Sequence, residues 1–451
     1  MASVAEMAQA ARAASQQLAV ASGLSRNAAL EAIASALEAQ RDRVLEANGL
    51  DVEEARQMVE RGELDQPLLK RLDLSGSKYD ATVAMVRSII AQPEPLGQTQ
   101  VATELDEGLV LYRVSVPIGV LGVIFESRPD ALVQIACLCL KSGNAALLKG
   151  GREAARTNAA IAEVMTEATR GLMDMPERWM SLLEGREEVR ALLDEHDHID
   201  LIIPRGGNEF VQYIMNNTNI PVMGHADGIC HVYVDSAANL DRAVDIVVDS
   251  KTQYVSVCNA TETLLVHAEV ADSALPRIAK ALQDKGVELR LDERAHAILS
   301  GAFQVKRASE EDWKTEYLDY VLSVRVVDDL AAAVAHINRF GSHHTDSIVT
   351  EDGDTAKTFL SQVDSASVVH NASTRFADGF RYGLGAEVGI STNRLHSRGP
   401  VGLEGLTIYK YVLEGNGHTV ASYEGDAPRS FTHKKLDAHW IERGMSREYN
   451  E

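Results

Sequence analysis

One cysteine stands apart from the other three. Cys258 sits in SVCNATETLL, a short polar loop between a helical and a strand-like stretch. Cysteine chemistry needs the thiolate, and N–H donors in a polar loop stabilise first that thiolate and then an oxyanion. Asn259 and Thr261 flank it as such local groups. A lone loop cysteine is also often a bystander, so spacing alone makes Cys258 a candidate nucleophile only. Cys137 and Cys139 fall in the apolar ALVQIACLCLKSGN, and Cys230 in strand-like GICHVYVD. These read as small buried hydrophobes of a reducing compartment. Four cysteines in 451 residues make no disulfide framework. No pair or quartet has zinc-ligand spacing and no HExxH occurs, so no metal is expected.

Two glycine-bearing turns could meet phosphate. In LLKGGREAARTN, at 147–158, a strand ends in Lys149, two glycines follow, and Arg152 opens a helix. Ligands of open α/β sheets bind at such strand ends, although a solvated loop with surface cations would look the same. In the RGG turn, Gly206 and Gly207 precede a helix whose N-terminal N–H groups would face an anion. That signal is weak alone, because βα turns use glycine for conformation. There is no GxGxxG, so a dinucleotide would bind in a variant manner. His225, His343, His344 and His396 read as exposed polar loop residues.

These residues need elements to position them. Residues 1–92 carry apolar side chains at three- and four-residue spacing, and Ser25 is placed to cap one helix. From Thr103 the period changes, and Asp106–Gly108 reads as a hairpin turn. Strand and helix signals then alternate, which predicts a mostly parallel, doubly wound sheet. A second alternating stretch begins near 236, with a domain boundary near Asp235. GLTIYKYVLEGNG, at 405–417, is a lone strand that pairs with the early hairpin or with another subunit. Residues 418–451 lack periodicity and read as a surface tail.

Composition bounds the partners. Lys and Arg number 44 against 66 Asp and Glu, giving a net charge of −22. Such a surface repels phosphate backbones and anionic lipid, so neither nucleic acid nor a membrane is expected as partner. No apolar run approaches the ~20 residues that span a bilayer. The N-terminal MASVAEMAQAARAASQQL reads as a helix start, not a secretion signal. An anionic ligand would need a local basic pocket.

Taken in order, three blocks carry a resemblance: PIGVLGVIFESRPDALVQIACLCLKSGNAALLKGGREAARTN at 117–158, CNATETLL from Cys258, and EVGISTNRLHSRGPVGLEGLTIYKY at 387–411. They are similar to the γ-glutamyl phosphate reductases, a branch of the aldehyde dehydrogenase superfamily. The resemblance runs from about residue 5 to 417. It implies a Rossmann-like cofactor domain (1–102 and 120–235), an α/β catalytic domain (236–404), and a small β oligomerisation flap (103–119 and 405–417). The implied reaction is NADPH-dependent reduction of L-glutamyl 5-phosphate to L-glutamate 5-semialdehyde in L-proline biosynthesis, through a cysteine thioester. A cytoplasmic homo-oligomer, dimer or tetramer, is implied too, with functional coupling to glutamate 5-kinase.

Carried over residue by residue, Cys258 takes the nucleophile's place. Ser127, in FESRP, falls where hydrolytic relatives carry the oxyanion-hole Asn. Lys149 matches the lysine at the adenosine ribose, and Arg152, three residues on, favours NADP over NAD. Gly206 and Gly207 match the turn beside the pyrophosphate. Glu316, in TEYLDYVL, resembles the glutamate that holds the nicotinamide ribose. Arg128, Arg394 and Arg398 are candidates for the substrate carboxylate, with surface salt bridges as the alternative. Where hydrolytic relatives have a glutamate base, VMGHADG offers Gly224 and His225. What activates Cys258 the sequence does not show.

Overall fold

The computed structural model describes residues 2–440 except Asp65, Ser127, Arg186 and Ala226. Four longer helices, Val4–Leu18, Gly23–Ala39, Arg41–Glu60 and Ser77–Ile90, open the chain. The second begins earlier than its spacing predicts. Ser22 is the cap, its hydroxyl accepting the Ser25 N–H at 3.0 Å, and Ser25 lies inside the first turn.

Two parallel sheets follow. The smaller has the order Met180–Leu183, Ala145–Lys149, Val120–Phe125, Leu201–Arg205. All six residues of Val120–Phe125 are buried, as expected of a central strand covered on both faces. Helix Pro129–Lys141 covers it with Leu132, Ile135 and Leu138, each fully buried and each contributing about 1.5–3 kcal/mol. The larger sheet has seven strands, in the order Lys306–Arg307, Glu288–Leu291, Val321–Val327, Thr261–His267, Cys230–Val234, Thr345–Val349, Ser367–His370. Every ladder in it is parallel. The boundary expected near Asp235 therefore falls one strand late. Cys230–Val234 is hydrogen-bonded inside the larger sheet, because its apolar run pairs with Thr261–His267 and Thr345–Val349.

A third, antiparallel sheet stands beside these. Thr99–Asp106 and Leu109–Pro117 form a hairpin around Gly108, whose φ of 72° is the left-handed conformation that favours glycine. Thr407–Glu414 pairs along its full length with Leu109–Pro117. The far edge is closed by Lys434–Leu436 against Thr99–Asp106. Residues 418–440 are thus not simply a tail. Tyr423 donates its hydroxyl to Asp106 at 2.8 Å, Arg429 pairs with the same carboxylate, and the Trp440 N–H bonds Thr99 Oγ1. The segment carries no periodicity because three residues suffice to pair, and side-chain bonds do the rest.

Candidate active site

Cys258 lies in the loop between helix Leu240–Thr252 and strand Thr261–His267, the only half-buried cysteine of the four. Burial pushes Cys139 up to about 12 and raises Cys137 and Cys230 further from ionisation. Three of the thiols are thereby set aside as nucleophiles. The loop is pinned from several sides. Asn259 Nδ2 donates to Ala377 O at 2.8 Å, Thr374 Oγ1 to Asn259 O at 2.7 Å, and Cys230 Sγ to Cys258 O at 3.2 Å. Thr261 Oγ1 meets Thr374 Oγ1 at 3.2 Å. Asn259 and Thr261 therefore hold the loop; their side chains are not donors to the sulfur. Gly228 packs against the same backbone, where a Cβ would stand 2.2 Å from Cys258 O, so no larger residue fits.

Cys258 opens onto a cleft of about 1100 Å³. Lys70, Arg71, Lys78, Arg128, Arg205 and Arg375 line it, against Asp130, Asp378 and Glu387. Helices Gln66–Leu72 and Ser77–Ile90 bring the first three across from the N-terminal region, and Arg71 Nη2 reaches Ser256 O at 3.4 Å. Arg205 ends the last strand of the smaller sheet, with one guanidinium nitrogen buried and without a partner. Burial, then the neighbouring Arg128, pushes Arg205 down to about 10, while Glu387, Asp130 and Cys258 oppose that. Arg375, 8% exposed, gives its Nε to Gln253.

Of the three arginines expected at the substrate, only Arg128 lines this cleft. Arg394 and Arg398 both pair with Asp364, and Arg398 borders a different cleft beside the antiparallel sheet. One carboxylate thus neutralises both, and Arg205 and Arg375 line the cleft that these two do not. Arg205 belongs to the RGG turn, where glycine is the stronger sequence signal. Lys70, Arg71 and Lys78 carried no local signal, since a helix face with cations usually faces water.

The other expected residues divide similarly. Lys149 is 6% exposed and donates Nζ to Gly150 O at 2.5 Å. Its burial lowers it, with Glu153 and Glu188 opposing and Arg152 assisting. Arg152 is exposed in the turn that follows. Gly207 starts helix Asn208–Asn216 without a side-chain cap, and a Cβ there would meet nothing within 4 Å. Beside it, a Cβ at Gly206 would stand 2.8 Å from Glu126 Oε2. Glu316 joins this end through Asn208 Nδ2 at 3.2 Å, and burial raises its carboxyl. Ser127 lies outside the described residues.

Three histidines depart from the exposed reading: His343 is half-buried with Nδ1 2.6 Å from Asp364 O, and the other two lie beside Cys258. His344 is 1% exposed, and His225 is half-buried with its ring edge-on to His344, centroids 5.0 Å apart. Each has a ring nitrogen within 4.8 Å of the other's and of Cys258 Sγ. Positions 225 and 344 are far apart in sequence, so no spacing rule could join them.

The aldehyde dehydrogenase family profile matches residues 1–298. A γ-glutamyl phosphate reductase from Natronomonas pharaonis is 54% identical over 431 residues, covering 96% of this chain and 97% of that one. The chain belongs to the γ-glutamyl phosphate reductases. A relative of the same name from Acetivibrio thermocellus is 54% identical over 435 residues, 96% and 99% of the two chains. The crystal structure of γ-glutamyl phosphate reductase from Thermotoga maritima superposes with a TM-score of 0.89 at 40% identity, covering 93% of this chain and all of that one. The protein is thus an oxidoreductase of aldehyde-dehydrogenase-like α/β fold. No described helix is long and apolar enough to cross a membrane.

Proposed function

We propose that the chain reduces L-glutamyl 5-phosphate to L-glutamate 5-semialdehyde with NADPH, releasing phosphate, in cytoplasmic L-proline biosynthesis. The observation that carries this reading is a charge inversion. In a chain of net charge −22, six cationic side chains line the cleft that opens on Cys258. A substrate with a carboxylate and a phosphate suits such a cleft, and a plain aldehyde gives it no reason to exist.

The chemistry follows from the acyl phosphate, which is already activated. Cys258 attacks its carbonyl, a tetrahedral oxyanion forms, and phosphate leaves toward the lysines and arginines of the cleft wall. The Cys258 backbone N–H is available to that oxyanion. A thioester on Cys258 results, which is easier to reduce than an oxygen ester. The dinucleotide, when bound, supplies the hydride. The uncapped N-terminus at Gly207 suits its pyrophosphate, with Lys149, Arg152 and Glu316 as the remaining holders. Glu126 accepts the Gly207 N–H at the same turn, at 3.4 Å, so a bound pyrophosphate would take over that donor. A glutamate 5-kinase would supply the short-lived substrate.

The test runs the enzyme backwards. Reduction of NADP⁺ by glutamate semialdehyde should require phosphate, or arsenate in its place, to take the acyl group. Asp227, the carboxylate nearest His225 in sequence, accepts from Asn208 Nδ2. Steady oxidation to free glutamate in phosphate-free buffer would assign a hydrolytic dehydrogenase instead.

A further inference from the structure

The histidine pair beside Cys258 has no part in the scheme above. His225 sits before strand Cys230–Val234 and His344 before strand Thr345–Val349, two neighbours in the larger sheet. The fold thus delivers two imidazoles and a thiol to one point, their ligand atoms all within 4.8 Å of one another. In a tetrahedral zinc site, bonds of roughly 2.0–2.3 Å put ligand atoms about 3.3–3.8 Å apart, so contraction by about an ångström closes the set.

Hydrogen bonds have oriented the rings for this. His225 Nδ1 is 2.9 Å from Ile390 O, so it carries the proton and leaves the Nε2 lone pair free. A backbone carbonyl on the second nitrogen is the outer-shell partner that metal-bound histidines ordinarily keep. His344 Nδ1 is 2.9 Å from Thr345 Oγ1, while its Nε2 is buried with no partner among the described residues. An unpartnered polar atom in a residue 1% exposed is costly, and it needs a reason.

We propose that His225, Cys258 and His344 bind a thiophilic divalent metal ion, and that this ion reversibly blocks the nucleophile. Binding breaks the Cys258 S–H bond, forms a sulfur–metal bond and releases the proton to solvent; no electron is transferred. The fourth position is left to water or phosphate. The blocking part rests on Cys258 being the nucleophile, whereas the binding part does not.

Co²⁺ is the spectroscopic probe, added to reduced, chelator-treated protein. One equivalent should produce a sulfur-to-cobalt charge-transfer band with the intense visible bands of a tetrahedral ion. Zn²⁺ should displace it, abolish reductase activity and protect Cys258 from iodoacetamide, and a chelator should restore both. Cys258→Ser should remove the charge-transfer band, and His344→Asn should weaken Co²⁺ binding at least about tenfold. His225→Asn should do the same from a less buried position, which covers misfolding at His344. Absence of the band, or its persistence unchanged in both histidine variants, overturns the proposal. If the metal binds as described but leaves reduction intact, the site stands without its blocking role and the nucleophile assignment fails.

Discussion

Arg394 and Arg398 share one carboxylate, Asp364, and that pairing separates structural from substrate arginines in this chain. A guanidinium already neutralised contributes little further to a second anion; Arg205 and Arg375 face the cleft of Cys258, as does Arg128, whose pairing with Asp130 at 3.1 Å lies within that cleft. Charge-assisted hydrogen bonds contribute about 1.5–3 kcal/mol, or roughly ten- to a hundredfold in binding. Arg128→Met and Arg205→Met should therefore raise KM for glutamyl phosphate by about that factor, and Arg394→Met should leave it unchanged. Steady-state kinetics on the three variants decides, and a loss confined to Arg394→Met would reverse the assignment. Cys258→Ala should fold normally and lose more than the roughly 10²–10⁴-fold that one acid–base group supplies. Retained turnover would reassign the nucleophile. Arg152→Glu should exchange NADP preference for NAD by placing a carboxylate where Arg152 now adjoins Lys149. Equal use of both cofactors by the wild type would remove the basis for that expectation.

At the scale of elements, the strand Lys434–Leu436 shows what periodicity can and cannot reveal. Long alternations were legible: the βαβ run through 117–205 forms one parallel sheet, since buried strands and amphipathic helices leave strong patterns. A three-residue strand leaves none, so 418–440 read as tail. The candidate site divides along the same line. Cys258, Lys149 and Gly207 sit in contiguous turns whose residue types speak for themselves. Lys70 and Arg205 come from separate elements and share the cleft of Cys258, and His344 reaches that cysteine from the bend before Thr345–Val349, so they come together only when the chain is folded. Chain ends are often dispensable, and residues 420–451 would be expected to be so. Their contacts to Thr99–Asp106 reverse that expectation. Removing 418–451 should leave the parallel sheets folded but expose an unpaired strand edge, which templates association. The truncated protein should keep native far-UV circular dichroism and aggregate with rising concentration in light scattering. Wild-type solubility across that range would show that the edge needs no cover.

The whole molecule carries its acidic charge unevenly, and one face of the antiparallel sheet is largely aromatic and apolar. Tyr409, Tyr411 and Leu413 alternate along Thr407–Glu414 and so project to one side, 43%, 62% and 55% exposed. Val101 and Tyr411 both stand opposite Arg113 in the ladders, which puts Val101, 42% exposed, on that same side. Arg113 lies over the Tyr409 ring at 4.8 Å, covering part of the face without burying it. A small sheet needs something packed on its face to be stable, and aromatic residues clustered with an arginine are characteristic of interfaces. A second copy of the chain would satisfy both requirements, since a two-fold interface sets the same patch of both subunits face to face. The wild type should accordingly be a dimer or tetramer at micromolar concentration. Tyr411→Glu with Leu413→Glu places two charges where apolar contact is expected and should yield a folded species of lower mass. A monomeric wild type in light scattering would leave these side chains facing water and the face without an oligomeric role.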